Sequence, residues 1–126
     1  SRNLLGVYFA KSEISRLGKC ILVEGNMDVV MMHQLGIRNV VASCGPSLTV
    51  EQLRLIHKFT DNLAIMYDGD SAGIHAALRG MDLALAEGLN VRIILLPDGD
   101  KDERMLHVND VVNRAIIDIG HNFYKH

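Results

Sequence analysis

The chain has 126 residues, 48% of them hydrophobic and 22% charged, which is the length and balance of one globular domain and excludes a disordered chain. No apolar run reaches the roughly 20 residues of a membrane-spanning helix, and the first residues lack the pattern of a secretory signal. The formal net charge of −2 excludes a protein that holds nucleic acid mainly by neutralising phosphates, since such a protein would be basic.

Four short apolar runs, taken in chain order, predict four β-strands. They lie at residues 20–23, 39–42, 63–67 and 91–96. Runs of this length without polar alternation are typical of strands that are buried on both faces. The predicted helices lie at residues 9–17, 27–35, 72–87 and 109–117, with a further one beginning after Thr49. Strands that alternate with helices through short loops indicate an α/β fold, with a mostly parallel four-stranded sheet and helices on both faces.

Capping residues predict where several of these helices begin and end. Thr49 and Gln52 have the spacing of a capping box, in which each side chain binds the other residue's backbone N–H. Ser71 is predicted to cap the long helix that follows the third strand. Gly36 and Gly88 stand where a helix C-terminus needs a residue with positive φ.

Acidic residues follow three of the four predicted strands. They are Glu24 after the first strand, Asp68 and Asp70 after the third, and Asp98, Asp100 and Asp102 after the fourth. The carboxyl ends of parallel strands lie at one edge of a sheet, so these side chains are expected to converge. Two carboxylates about 4 Å apart repel by roughly 4 kcal/mol at an effective dielectric of 20, and a hard divalent cation removes that repulsion. The pattern predicts a metal site suited to phosphoryl or nucleotidyl transfer.

The same residues admit less specific interpretations. A single Asp-Gly pair is usually a solvated turn, but acids after three strands favour the metal site. Gly69 and Gly99 each separate two acids, and we expect them to allow tight turns. Glu24 is suited either to bind metal or to act as a general base, and the residues alone leave both roles open. No dinucleotide-binding or P-loop glycine motif is present.

The motifs around these acids resemble those of bacterial replicative DNA primases. Residues 23–30, VEGNMDVV, are similar to the family's V-E-G-Y-M-D-V, and residues 67–73, YDGDSAG, to Y-D-G-D-x-A-G. Residues 40–45, VVASCG, resemble V-A-S-L-G, and residues 95–99, LLPDG, resemble the L-P-D-G that precedes a D-P-D motif. The likeness covers most of residues 4–103, and a Glu followed by Asp-x-Asp is the signature of the Toprim fold.

This resemblance implies a Toprim (Rossmann-like) fold and a role for each matching acid. Glu24 would be the catalytic acid, while Asp68 and Asp70 would be metal ligands. The family's D-P-D motif would correspond to Asp100 and Asp102, which would then be further metal ligands.

Three further residues are candidates for the site. The D-P-D motif is altered here, with Lys101 in place of proline and one position deleted, so Asp98 competes with its neighbours as a ligand. Asp28 falls on a family acid near the site, but an aspartate in the first turn of a helix is also favoured by the helix dipole. Arg79 is a candidate phosphate or nucleic-acid contact, although an exposed arginine on a solvated helix is the common alternative.

The resemblance also implies an activity, a cofactor and partners. The whole protein would be a DNA-directed RNA polymerase that makes RNA primers from ribonucleoside triphosphates on a single-stranded DNA template, with Mg²⁺ or, in its place, Mn²⁺. It would be cytoplasmic and bacterial, without a membrane partner, and would bind the replicative helicase through a C-terminal region outside this chain. Residues 1–18 would be a lead-in segment, residues 19–118 the Toprim domain, and residues 119–126 a tail. Such an excised core would bind metal but make little primer alone.

Two other functions are weighed against this one. A non-catalytic Toprim interaction module of a DNA recombination or repair mediator would bind metal weakly, and the full set of acids argues against it. A phosphoacceptor receiver domain needs an acid pair after its first strand and a lysine after a fifth strand, and neither is evident.

Overall fold

The computed structural model describes residues 4–5, 7–43 and 48–96. The strands in this part of the chain are β1 (Leu4–Leu5), β2 (Cys20–Val23), β3 (Val40–Ser43), β4 (Asn62–Asp68) and β5 (Asn90–Leu96). The helices are α1 (Val7–Leu17), α2 (Asn26–Gln34), α3 (Val50–His57) and α4 (Ser71–Ala86). None of these four helices has the length and apolar character needed to cross a membrane.

The strands form one sheet in the order β1-β3-β2-β4-β5. Strands β2 to β5 are parallel to their neighbours, which confirms the predicted parallel sheet of four strands. The two residues of β1 add an antiparallel edge next to β3. The sequence did not predict β1, because two residues are too few to show a strand pattern. This order places β2 beside β4, so the residues that follow these two strands become neighbours.

The sheet is covered on both faces, as predicted. On one face, side chains from three helices pack against the strands: Ala10 and Ile14 of α1, Leu53 and Ile56 of α3, and Ala77 and Ala84 of α4. On the other face, the described cover comes from α2, with Val29 and Met32. All four residues of β2 are buried, which is why that strand reads as a continuous apolar run. Burial of each large aliphatic side chain contributes about 1.5–3 kcal/mol.

The ends of several helices agree with the predictions. The Thr49 hydroxyl accepts the N–H of Gln52 at 3.3 Å, and Gln52 Oε1 accepts the N–H of Thr49 at 3.0 Å, which completes the capping box. Gly36 and Gly88 have φ values of 83° and 89°, in the left-handed region that favours glycine after a helix. The predicted helix at 109–117 lies outside the described residues.

The prediction for the start of α4 was wrong. Asp70, not Ser71, is the N-cap: its Oδ1 accepts the N–H of Gly73 at 2.7 Å, and its backbone is extended. Ser71 is already the first helical residue. The reason is tertiary: β4 continues through Asp68 beside Leu96 of β5, and α4 already begins at Ser71, so the turn between them is shorter than predicted.

The thiol of Cys20 is free and fully buried in the core, and this burial raises its pKa far above the ordinary range. A buried, protonated thiol is chemically inert. Cys20 is therefore a packing residue, as its apolar surroundings in β2 indicate.

Candidate functional site

The candidate site lies where β2 and β4 end side by side. These strands pair in parallel, with Leu22 opposite Ile65. Glu24 follows the last residue of β2, and Asp68 is the last residue of β4. Two of the predicted acids are therefore neighbours at the carboxyl edge of the sheet, which is where ligands bind in open α/β folds.

A hydrogen bond joins these two positions directly. The backbone N–H of Asp68 donates to Glu24 Oε1 at a distance of 2.8 Å. The contact links residues 44 positions apart in the chain, and it holds the Glu24 side chain against the end of β4. The carboxylate of Glu24 therefore accepts a backbone hydrogen bond and also adds negative charge at this edge of the sheet.

The charge at this edge is visible in the pKa of Glu24, which is raised above the ordinary range of a glutamate. Partial burial of its carboxyl group is the largest cause, and the negative charges of Asp68, Asp28 and Asp70 add to it. The hydrogen bond from the Asp68 N–H acts in the opposite direction and offsets part of the rise. The charges of Asp68, Asp28 and Asp70 therefore all act on the carboxyl group of Glu24.

Asp70 combines two features in one exposed side chain. Its Oδ1 caps α4 by accepting the N–H of Gly73, and the residue remains exposed to solvent. A carboxylate has two oxygens and about four acceptor positions, so one backbone hydrogen bond leaves acceptor capacity for a cation. The sequence predicted Ser71 as the cap of α4 and Asp70 as a metal ligand. The contact that the structure describes for Asp70 is the capping hydrogen bond.

Two glycines allow the chain to pass closely through this region. A Cβ atom on Gly69 would lie 2.8 Å from the backbone oxygen of Leu96, and a Cβ atom on Gly73 would overlap the backbone oxygen of Asp68. Neither glycine has a positive φ. Gly69 is therefore required because it approaches β5 closely, not because the turn needs an unusual backbone conformation. The sequence reasoning missed Gly73, although the residue stands inside the quoted YDGDSAG motif.

Asp28 lies at the start of α2. Its Oδ2 accepts the N–H of Gly25 at 3.3 Å, which is the contact expected of an acid in the first helical turn. Its negative charge also contributes to the raised pKa of Glu24. The two interpretations of Asp28 are compatible, because the same carboxylate caps the helix and adds charge at the edge of the site.

Tyr67 directly precedes Asp68 in β4. Tyr67 is 6% exposed, and burial raises its pKa to about 12, with the negative charge of Glu24 adding to the rise and the positive charge of Arg79 opposing it. Arg79 itself is exposed on α4. Tyr67 was not singled out from the sequence; its position two residues after a buried Ile65 on the same strand face was the available signal.

The predicted fourth strand is β5, which is described to its last residue, Leu96. The candidates that follow it lie outside the described residues: Asp98, Gly99, Asp100 and Asp102. Within residues 4–5, 7–43 and 48–96, no three His, Cys, Asp or Glu side chains are arranged to hold one metal ion. The described geometry therefore covers the contribution of β2 and β4 to the site.

Comparison with known proteins identifies a family. The family model described as Toprim-like matches residues 21–107, which contain every candidate site residue. DNA primase of Clostridium acetobutylicum is 46% identical over 103 residues, which is 80% of this chain and 17% of that protein. The chain thus spans about a fifth of the curated relatives it matches, between 17% and 20% in the first examples.

Solved structures give the same result. The structure of the Aquifex aeolicus primase, with its zinc-binding and RNA polymerase domains, superposes with a TM-score of 0.82 and 39% identity, covering 92% of this chain and 29% of that one. A DnaG primase catalytic domain bound to single-stranded DNA superposes with a TM-score of 0.78 and 32% identity, covering 92% of this chain and 38% of that one. The predicted resemblance to the Toprim segment of bacterial primases is confirmed.

Proposed function

This chain belongs to the Toprim-like family, and from that premise we propose that it is the metal-binding core of a DNA primase. In this proposal the whole protein copies a single-stranded DNA template into RNA primers from ribonucleoside triphosphates, in the bacterial cytoplasm. Four-fifths of the chain is 46% identical to a DNA primase, and this likeness supports the proposal. Binding of the replicative helicase belongs to a C-terminal region outside this chain.

The domain limits are part of the same proposal. Residues 19–118 form the Toprim domain, residues 1–18 are a lead-in from a preceding subdomain, and residues 119–126 are a tail. The described part of the lead-in packs on the same sheet, since β1 pairs with β3 and α1 buries Ile14 in the shared core.

The observation that carries the proposal is the hydrogen bond between Glu24 and the backbone of Asp68 at the shared end of β2 and β4. Partial burial raises the pKa of Glu24, and the negative charges of Asp68, Asp28 and Asp70 add to the rise, so negative charge is gathered at this edge of the sheet. Carboxylate oxygens are the donors that Mg²⁺ prefers, and Mg²⁺ needs only one or two of them beside water and substrate phosphates. The residues therefore fit a divalent cation.

Each site residue has a role in this proposal. Asp68 and Asp70 hold Mg²⁺ or Mn²⁺ together with Asp100 and Asp102, with Asp98 as the alternative ligand. When bound, the metal neutralises charge on the substrate phosphates and lowers the pKa of the attacking hydroxyl.

The residues around the ligands handle protons and phosphates. Glu24 is the catalytic carboxylate, and it would act as a general base that accepts a proton from the attacking hydroxyl. Arg79 contacts phosphate from its exposed position on α4, and Asp28 adds negative charge behind Glu24.

Calorimetric titration of Mn²⁺ into the 126-residue chain tests the metal site. We expect binding by the wild type and a loss of at least roughly ten-fold in affinity for Asp68→Ala, since even outer-shell changes cost that much. The matched control is Asp61→Ala, the same substitution just before the opposite end of β4, where the exposed side chain pairs with His57. Equal heats for wild type and Asp68→Ala would refute the metal site and favour the non-catalytic interaction module.

A chimera tests the activity. The segment of Aquifex aeolicus primase that corresponds to residues 21–107 is replaced by this chain's residues, and primer synthesis is measured on a single-stranded template. We expect the chimera to make primers, Glu24→Gln to abolish synthesis, and Asp61→Asn to leave it near the starting level. Full activity of the Glu24→Gln chimera would exclude the catalytic role of Glu24.

A further inference from the structure

Tyr67 occupies the last position before Asp68, beside the acid that the proposed function makes catalytic. We propose that Tyr67 is a positioning residue: its ring holds the Glu24 side chain where the carboxylate accepts the N–H of Asp68. The inference rests on the proposed function for the importance of Glu24, but its geometric part stands on contacts of the described chain. Tyr67 itself need not touch the substrate or the metal.

Strand register places the two side chains together. Cys20 pairs with Leu63 and Leu22 pairs with Ile65 in the parallel β2–β4 ladder. Extending this register by two residues past the end of β2 places Glu24 beside Tyr67. Leu22, Ile65 and Tyr67 lie in one core cluster, and continuing the alternation of side chains between faces puts Glu24 on the same face.

Packing fixes the ring of Tyr67. It is 6% exposed and belongs to the core cluster that α4 covers through Ala77. Below it on the same strand face, Ile65 lies against α4 at Gly80, where a Cβ atom would be 3.4 Å from Ile65 Cδ1. A planar side chain buried in such a cluster has few alternative rotamers, so the ring is held in a fixed position.

A fixed ring matters for Glu24 because glutamate is flexible. Ordering such a side chain costs conformational entropy. The hydrogen bond from the Asp68 N–H holds only the end of the side chain. A fixed neighbour that excludes the other rotamers lowers the cost of ordering the rest of it.

Electrostatics agree with this placement. The negative charge of Glu24 raises the pKa of Tyr67 and the positive charge of Arg79 lowers it, so the phenol lies within reach of both charges. The carboxylate of Glu24, however, accepts its hydrogen bond from the backbone of Asp68. We therefore assign the positioning to the aromatic ring and not to the hydroxyl group. Phenylalanine at position 67 is expected to hold Glu24 as well as tyrosine does.

Amide hydrogen exchange of Asp68, followed by NMR in the 126-residue chain without metal, tests the positioning. Its rate is compared with that of Ile65, a core amide in the same strand, so that global stability cancels. We expect Tyr67→Leu to speed exchange of Asp68 at least about ten-fold relative to Ile65, approaching the Glu24→Ala variant. Tyr67→Phe should stay within about two-fold of the wild type.

The matched control is Phe59→Leu, which removes an aromatic ring packed against the same core cluster after the end of α3. It should leave the Asp68-to-Ile65 ratio unchanged. If Tyr67→Leu does not fold, Tyr67→Met is read in the same way, because it retains more volume without a planar ring. An unchanged ratio in the ring-free variant overturns the proposal.

Mn²⁺ titration of the same variants connects the geometry to the site. We expect several-fold weaker binding for Tyr67→Leu and wild-type binding for Tyr67→Phe and Phe59→Leu. Absence of Mn²⁺ binding in the wild type would count against the proposed function, whereas the exchange ratio would still decide the role of Tyr67. If Tyr67→Leu speeds exchange of the Asp68 amide but leaves the Mn²⁺ affinity unchanged, Tyr67 positions Glu24 without affecting metal binding, and that part of the proposal is rejected.

Discussion

Helices α3 and α4 pack on the same face of the sheet, but they begin in different ways. The start of α3 is a reciprocal capping box between Thr49 and Gln52, and Gln52 is fully buried. The start of α4 is capped by Asp70, which is exposed, and it presses so closely on the end of β4 that only glycine fits at position 73. The first start uses neutral groups that satisfy one another, and the second keeps a charged oxygen available to solvent.

This difference separates a helix start that stabilises the fold from one that gathers negative charge at the candidate site. Buried polar groups with mutual partners make a helix start firm. Several acids at one edge, with the pKa of Glu24 raised, oppose folding unless a cation is bound. Substitutions of Gly73, Gln52 and Asp70 should therefore separate stability from metal affinity, and substitution of Glu24 should show the effect of its charge.

Gly73→Ala should have the largest effect, a destabilisation of about 3 kcal/mol measured by urea unfolding, because its Cβ atom would overlap the carbonyl oxygen of Asp68. Gly80→Ala, in the same helix, is the control. Its Cβ atom would make ordinary 3.4 Å contacts with Ile65 and Leu48, so the higher helix propensity of alanine should stabilise by up to about 1 kcal/mol. Equal unfolding midpoints for the two variants would contradict the close approach.

Gln52→Ala should destabilise the chain by about 2 kcal/mol without changing the heat of Mn²⁺ binding. Its Oε1 accepts hydrogen bonds from the N–H of Thr49 at 3.0 Å and from the hydroxyl of Ser43 at 3.2 Å. Truncation leaves buried partners and a cavity. Thr49→Ala, which removes one half of the box, should cost about 1 kcal/mol. A change of Mn²⁺ affinity in either variant would show that the two helix starts are coupled.

Asp70 is expected to separate capping from metal binding. Asp70→Ala should cost about 1 kcal/mol, because the cap of α4 is lost, whereas Asp70→Asn retains a capping oxygen and should unfold near the wild-type midpoint. Both variants should lose Mn²⁺ affinity in calorimetry, since neither keeps the negative charge. Wild-type Mn²⁺ binding by Asp70→Asn would reduce Asp70 to a capping residue.

Glu24→Gln should have the smallest effect and a positive one. The pKa of Glu24 is raised in the folded chain, so protonation favours folding: the stabilisation is fully present below the unfolded-state pKa and is lost as the pH rises through the folded one. Glutamine keeps an oxygen for the Asp68 N–H without the charge. We therefore expect a rise in Tm at pH 7, below the roughly 4 °C that 1 kcal/mol gives.

The pH series is the check on that prediction. The gain from Glu24→Gln should shrink as the pH falls below the ordinary range of glutamate, because the wild-type carboxyl group is then protonated as well. A gain that is constant with pH, or a loss of stability at pH 7, would contradict the repulsion between the acids.

Much of the fold was predictable because its signals are local. The apolar run Cys20–Val23 matches β2 residue for residue, and the capping box at Thr49 depends on residues three positions apart. Gly36 and Gly88 end helices through their own backbone conformation. The clustering of Glu24 with the acids after β4 followed from one rule of parallel sheets.

The site was predictable as a set of residues but not as a set of contacts. Ser71 was chosen as a cap because hydroxyls cap helices, and the earlier closure of the turn beside β5 gave that role to Asp70. The ligand roles of Asp68, Asp70, Asp100 and Asp102 stay predictions. The resemblance to primases pointed to the motif around Gly73 but did not explain the glycine. The structure explains it, since a Cβ atom at position 73 would overlap the backbone oxygen of Asp68.

By itself, the sequence determined the strand-helix alternation, the parallel sheet of four strands, the family and the candidate acids at the strand ends, since each depends on short runs or motifs. Only the tertiary structure decided that Glu24 accepts the backbone N–H of Asp68, that Tyr67 is buried in the core cluster, and that Gly69 lies too close to the backbone oxygen of Leu96 for a side chain. These contacts join residues far apart in the chain, and their geometry depends on strand order and register, which no local pattern encodes.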